Sequence, residues 1–325
     1  AGSDFDTSNP SGLVNWNLED ELPFGELKFD KFSKHHLSVI NDSDVIRDIE
    51  LANTTDKIYS LGGLNKLTKD NHESQIFTAA SCGEVEKMRS LVKKGAEIMM
   101  YTKRGESPVY IAAKNGRNTI IRELYNLAKD HYLSLSQIRN LFNKPDLDGK
   151  TPVFVAAKNG RADVIRELAR CGANVNAPDN NGCTPVFVAA QNDKEDVIRE
   201  LARCGANVNA PDNNGCTPVF VAAKNNKKAA ISVLIKFRAD INTPKKTGST
   251  PMHAAAACGH SEIIKLLFEC EADVDQAREQ DGITPLFLAT QNGYVDVIDE
   301  LVRHGANVNA KNKNGETPMH LAAQK

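Results

Sequence analysis

The chain is short of aromatic residues. Phe, Tyr and Trp make up 6% of its 325 residues, and there is a single tryptophan. Any sizeable core must therefore be packed by Ala, Val, Ile and Leu, for which a hydrophobic content of 41% is ample. An excess of charge is missing as well, since 40 basic and 42 acidic residues leave a net charge of −2. That balance provides no global pull toward nucleic acid or an anionic membrane. No apolar run is long enough to cross a bilayer, and no signal peptide follows the start. Ala1-Gly2-Ser3 reads as a cleavage scar, so a targeting segment could precede it in the natural protein.

The motifs of chemistry are absent too. There is no phosphate-cradling GxxxxGKS/T, no HExxH and no GxSxG. No histidine is accompanied by a nucleophile and an orienting carboxylate in a recognisable motif. Seven cysteines stand at 82, 171, 183, 204, 216, 258 and 270, none of them in the close pairs a zinc site requires. The expectation is a protein without catalysis, metal or cofactor.

What the chain does have is a repeat. Residues 152–184 read PVFVAAKNGRADVIRELARCGANVNAPDNNGCT, and residues 185–217 repeat them with four differences, at 158/191, 160/193, 161/194 and 162/195. The proline of a Ser/Thr-Pro pair recurs at Pro108, Pro152, Pro185, Pro218, Pro251, Pro285 and Pro318. A fixed period of this length marks a stacked array, each unit contacting only its neighbours.

The unit reads as two short antiparallel helices and a projecting finger. Thr151 can cap the first helix, and Pro152 suits its first position, where the missing N–H is harmless. Val153, Ala156 and Ala157 share a face small enough for close helix packing. Gly160 breaks the helix, and its equivalents are Gly83, Gly116, Asp193, Asn226, Gly259 and Gly293. These residue types tolerate a left-handed backbone best, so the position demands one. A second helix near 162–170 should bury Val164, Ile165 and Leu168 and expose Asp163, Arg166, Glu167 and Arg170. Gly172 ends it, and an arm with an Asp-Asn-Asn-Gly turn follows.

TPVFVAAKNG, DVIRELARCGANVNA and DNNGCTP resemble the ankyrin repeat, and TPMHAAAACGHSEIIKLL and TPMHLAA come closer still to its usual wording. The resemblance covers 72–325, with repeats starting near 72, 105, 149, 182, 215, 248, 282 and 315. It implies an all-α fold, a helical repeat solenoid with β-hairpin fingers, whose concave surface binds other proteins. His253 and His320 occupy the family's TPLH histidine, which makes hydrogen bonds between repeats. Tyr110, Phe154, Phe187, Phe220 and Phe287 stand in its place elsewhere, so apolar contacts are expected there. Cys171/Cys204 and Cys183/Cys216 are repeat equivalents. Stacked helices lie about 8–10 Å apart, beyond ordinary disulfide reach. Reduced thiols in a monomeric cytoplasmic protein follow. Near-identical repeats in an Asn/Lys/Ile-rich text suggest an effector of an intracellular microbe, acting in the host cytosol.

Residues 4–71 lack the repeat. Ser43 can cap a helix carrying Val45, Ile46 and Ile49, and a second helix near 56–67 is interrupted by Gly62-Gly63. One reading is a small helical cap over the first repeat. The other is an adaptor: LPFGEL followed by HHLSVINDSDVIRDIELANTTDKIYSL resembles an F-box, with one extra residue between Leu22-Pro23 and Glu26-Leu27. In that case residues 22–67 would dock a ubiquitin ligase and the repeats would select its target. An insertion at about 128–146 should extend an outer helix toward Asp130. It should then form a helix capped by Ser134 or Ser136 and burying Tyr132, Leu135, Ile138, Leu141 and Phe142.

In this family the variable positions lie at the finger tips and after the paired alanines. Carried onto this chain, the helix ends give Lys114, Asn115, Lys158, Asn159, Gln191, Asn192, Lys224, Asn225, Gln291 and Asn292. The fingers add Lys103, Arg104, Asp148, Lys150, Asn180, Asn181, Asn213 and Asn214. This surface suits an extended polar or acidic peptide, whose main chain the Asn row could satisfy. Replacing Asn159, Asn192 and Asn225 by Ala should then leave stability nearly untouched. LIKFRADIN resembles the pattern an animal asparaginyl hydroxylase accepts in ankyrin repeats, which makes Asn242 the candidate for modification. The last repeat has a first helix and no second, so the natural protein is expected to continue or to be covered by a neighbour there.

Overall fold

The computed structural model describes residues 75–323. The cap and the adaptor segment expected in 4–71 lie outside the described residues. The array opens with α1 (Gln75–Cys82) and α2 (Val85–Lys93). The second repeat supplies α3 (Pro108–Lys114), α4 (Asn118–Asp130) and the extra α5 (Leu135–Asn143). Pairs of seven- and nine-residue helices follow as α6 (Pro152–Lys158) and α7 (Ala162–Arg170), α8 (Pro185–Gln191) and α9 (Glu195–Arg203), α10 (Pro218–Lys224) and α11 (Lys228–Lys236), and α12 (Pro251–Ala257) and α13 (Ser261–Glu269). The array closes with α14 (Pro285–Asn292), α15 (Val295–Arg303) and α16 (Pro318–Ala323). First helices stack on first helices and second on second, giving an inner and an outer row.

Local chemistry explains both ends of the inner helices. The Thr151 hydroxyl accepts from Phe154 N at 3.3 Å, and Thr184, Thr217 and Thr284 cap their helices in the same way. At the far end, the residue expected to be left-handed has φ +75° at Gly160, +56° at Asp193 and +57° at Asn226. Between these signals Val153, Ala156 and Ala157 are fully buried. Outer helix α7 buries Val164, Ile165 and Leu168 against its neighbours. Each such side chain contributes about 1.5–3 kcal/mol on leaving water.

Four expectations change. Glu167, expected at the surface, is buried, because Arg122 from the preceding outer helix covers it with two hydrogen bonds of 3.0 and 2.9 Å. In the insertion, Ser134 does cap α5 through a reciprocal box with Gln137, and Ile138, Leu141 and Phe142 are buried, Phe142 meeting the Tyr125 ring edge-on at 5.9 Å. Tyr132 and Leu135, however, are 79% and 76% exposed, since both precede the face that α5 turns inward. Tyr110 is not purely apolar, as its hydroxyl donates to Asp146 Oδ2 at 2.7 Å and so keeps a polar tie to the next finger. Among the described residues no strand forms. The fingers are closed by turns, with Gly182 N donating to Asp179 O at 2.9 Å and Asp179 N to Cys183 O at 3.0 Å.

At the far end α16 buries only Pro318, and Met319 is 68% exposed. Among the described residues no helix is long and apolar enough to cross a membrane.

Candidate partner-binding surface

The fingers are joined tip to tip. Asn180 N donates to Asp148 O at 3.1 Å, Asn213 N to Asn181 O at 3.0 Å, Lys246 N to Asn214 O at 3.0 Å and Lys313 N to Asp281 O at 2.8 Å. Two tips are also braced from within: Asp179 Oδ1 accepts from Asn181 N and Cys183 N, both at 2.9 Å, and Asp212 does the same for Asn214 and Cys216. The approach is close enough to require glycine. A Cβ on Gly182, at φ +79°, would lie 2.6 Å from Asn213 N.

The helix-end asparagines serve the array. Asn192 Nδ2 donates to Val188 O at 2.8 Å and Asn225 Nδ2 to Val221 O at 2.9 Å, closing their own helices. Asn159 Nδ2 reaches Lys114 O at 3.1 Å, and Asn292 Nδ2 reaches Ala257 O at 3.1 Å, bridging repeats. Asn115 bonds Ile111 O and the Ser81 hydroxyl. In Asn159, Asn192, Asn225 and Asn292 one amide hydrogen is spent internally, leaving a second N–H and the Oδ1 acceptor for other use, whereas Asn115 spends both.

Two further ladders had escaped the sequence reading. Asn143, Asn176, Asn209 and Asn242 each present Oδ1 to a backbone N–H of the next repeat, at Asn174, Asn207, Asp240 and Asp273 respectively. Asp275 continues the row to Asn307. A recurring spacing of 31 residues was the available signal. On the outer helices, Arg89, Arg122 and Arg166 each grip a buried carboxylate one repeat on, at Glu123, Glu167 and Glu200. The side-chain hydrogen bonds from Arg122 and Arg166 hold the Glu167 and Glu200 carboxyls below their ordinary range. The ladder stops at the next step, where buried Val233 occupies the glutamate position.

A sequence profile described as ankyrin repeats, in three copies, matches residues 126–212, 196–278 and 271–325. The chain belongs to the ankyrin-repeat family. Among similar proteins are the NF-kappa-B inhibitor cactus of Drosophila yakuba and of Drosophila melanogaster, each 40% identical over 50 residues, 15% of this chain. An ankyrin repeat protein of Rickettsia prowazekii is 35% identical over 43 residues, which is 13% of this chain and 40% of that protein. The chain covers 10% of the length of either cactus protein.

Within this ankyrin array His253 behaves as the family histidine does. Nδ1 lies 3.2 Å from Thr250 N and 2.8 Å from its hydroxyl, and Nε2 lies 3.0 Å from Ile283 O of the next finger. Thr250 N can only donate, so Nδ1 accepts and Nε2 carries the proton. Burial pushes the imidazole down to about 4. All seven cysteines are free thiols, and burial pushes Cys171 and Cys183 up to about 12.

The residues expected to meet a partner share the inner-helix ends and the finger row. Lys103, Arg104, Lys114, Asp148, Lys158, Asn159, Asn180, Asn181, Gln191, Asn192, Asn213, Asn214, Lys224, Asn225, Gln291 and Asn292 are exposed, while Asn115 and Lys150 are half-buried. Lys114 is engaged by Glu106 at 3.2 Å and Lys150 by Asp148 at 2.6 Å. Asn242 is half-buried, with its N–H on Asp240 Oδ1 at 2.8 Å.

Proposed function

We propose that this array is a non-catalytic scaffold that binds a partner protein, or an extended segment of one, along its inner-helix ends and finger row. One observation carries the reading. The finger backbones are fixed to one another by hydrogen bonds from tip to tip, while the side chains between those ties face solvent. A partner would meet contacts already in place, and little ordering entropy would be lost on binding. The absence of catalysis is supported by His253, whose two ring nitrogens are both occupied inside the array. Seven free thiols, two of them pushed far from the thiolate, suit a reducing compartment such as the cytoplasm.

The test is affinity capture with three baits read by mass spectrometry. One bait is the unaltered chain. The second carries Arg104→Glu with Asn181→Arg and Asn214→Arg. The third carries Arg203→Glu on the outer row. A protein held by the first and third baits and lost from the second is the expected result. Loss only from the outer-row bait would place binding on the opposite face. Hydroxylation at Asn242 is a separate proposal, supported only by its local sequence. Incubation with an asparaginyl hydroxylase should add one oxygen to the peptide containing it, and an unchanged mass ends the idea.

A further inference from the structure

From the second repeat to the sixth, the residue at the finger base stands eight positions before the last inner-helix residue. Lys114 shows how the two meet: its ammonium runs back along α3 to Glu106 Oε1 at 3.2 Å. The equivalent pairs are Lys150 with Lys158, Cys183 with Gln191, and Cys216 with Lys224. The carboxylate of the second repeat is thus replaced by a like charge in the third and by a thiol in the fifth. Lys150 turns instead to Asp148, at 2.6 Å. Lys158 and Lys224 are exposed, and among the described residues neither has a carboxylate within ion-pair distance. Beyond Lys224 the basic edge continues, with the Lys245 ammonium 5.5 Å from the centre of the Phe220 ring.

We propose that Lys158 and Lys224 are a two-point clamp for an acidic segment, each ammonium taking one carboxylate of a single extended chain laid across α6, α8 and α10. This rests on the reading of that face as partner-binding and deepens it by naming the chemistry of the partner. The geometry also sets a spacing. Neighbouring helices stack about 8–10 Å apart, so the two lysines are separated by about 16–20 Å. An extended chain advances about 3.3 Å per residue. The two acidic residues should therefore stand about five or six positions apart, with a neutral polar residue between them opposite Gln191. The clamp supplies spacing as well as charge, which a diffuse basic surface does not.

A phage-displayed library of random twelve-residue peptides, selected on the whole chain, tests this. Selected peptides should carry Asp or Glu pairs at that spacing, and a synthetic peptide of that sequence should bind roughly tenfold more weakly after Lys158→Glu with Lys224→Glu. Exchanging the peptide's two acids for lysine should restore binding to the altered chain. Selected peptides without spaced acids, or binding that ignores the double exchange, overturn the clamp and leave the broader scaffold reading standing. A library that yields no binder removes the extended-segment form of that reading together with the clamp, and a folded partner would then be sought by the three-bait capture. Both lysines are exposed, so an unchanged melting curve for the variant confirms that a loss of binding is not a loss of fold.

Discussion

Asp193 Oδ1 accepts the backbone N–H of Ala230 at 3.0 Å, 37 residues further on. Asp193 stands where most repeats have glycine, and its backbone is left-handed at φ +56°. Its side chain caps the first turn of α11 in the following repeat, a helix with no acidic residue in its own first turn. One carboxylate thus links a break in one repeat to the start of a helix in the next.

That double role gives the first prediction. Asp193→Ala forfeits the cap, worth about 1 kcal/mol. It also leaves a methyl-bearing residue left-handed, which costs about 1–2 kcal/mol. Asp193→Gly loses the same cap but relieves the backbone. In urea titration the Ala variant should be less stable than the Gly variant by about 1 kcal/mol or more. Equal midpoints would show that the backbone conformation is not under strain.

A second prediction revises an expectation drawn from surface position alone. Asn159, Asn192 and Asn225 each donate to a backbone carbonyl, so replacing all three by Ala removes three hydrogen bonds. At about 0.5–1.5 kcal/mol each, the loss should be a few kcal/mol, well beyond an ordinary surface change. Thermal melting decides between the two. A midpoint within error of the unaltered chain would return these residues to the role of free surface amides.

What could be read from the sequence followed from local rules. Thr-Pro at a helix start, a left-handed residue at its end, and Ser134 before α5 each act within a few residues, and each is found where the chain text places it. What could not be read depends on neighbours a full repeat away. Glu167 looks exposed on its own helix, and it is chiefly the paired hydrogen bonds from Arg122, 45 residues earlier, with Arg170 further off at 3.7 Å, that make burying its charge tolerable. The same holds for Asn159 and Asn292: the text shows that Asn recurs, but the carbonyls these two reach, on the preceding repeat, are set by the stacking distance. Tyr132 and Leu135 failed in the other direction: Tyr132 lies in the turn before α5, and Leu135 shares a stripe with buried Ile138 and Phe142, but hydrophobic character alone does not say how far along that stripe the array reaches.

Acid should unfold the array, and two kinds of group set where. His253 is held neutral by burial, its value pushed down to about 4. The unfolded chain protonates its histidine near about 6.5. Between those values the unfolded state binds the extra proton, so stability falls as pH drops through that window. Glu167 and Glu200 have depressed native values. Their contribution is full above the unfolded carboxylate range, about 4.3, and is lost as pH falls through the native values. Melting temperature should thus decline in two stages on acidification. In His253→Gln the upper stage should flatten, even if the variant is less stable at neutral pH. An unchanged slope between about pH 6.5 and 5 would remove His253 from the account.

The outer-row ion pairs should be asymmetric to mutation. Arg166 is about half exposed, with a side-chain accessibility of 46%, while Glu200 has only 7%. Removing the glutamate as Glu200→Val leaves a guanidinium that water can reach. It also copies the arrangement the chain already uses one repeat later, where Val233 is buried in the equivalent place. Removing the arginine as Arg166→Ala leaves a buried carboxylate whose nearest remaining cation is Arg203 at 3.9 Å. An unsatisfied charged group of this kind costs about 3 kcal/mol, whereas a well-packed apolar exchange is close to neutral. Chemical denaturation of the two variants should therefore rank Arg166→Ala well below Glu200→Val. If the order is reversed, the pair is a net source of stability, and the switch to valine at 233 reflects the packing of α11 rather than an equivalent solution to the same interface.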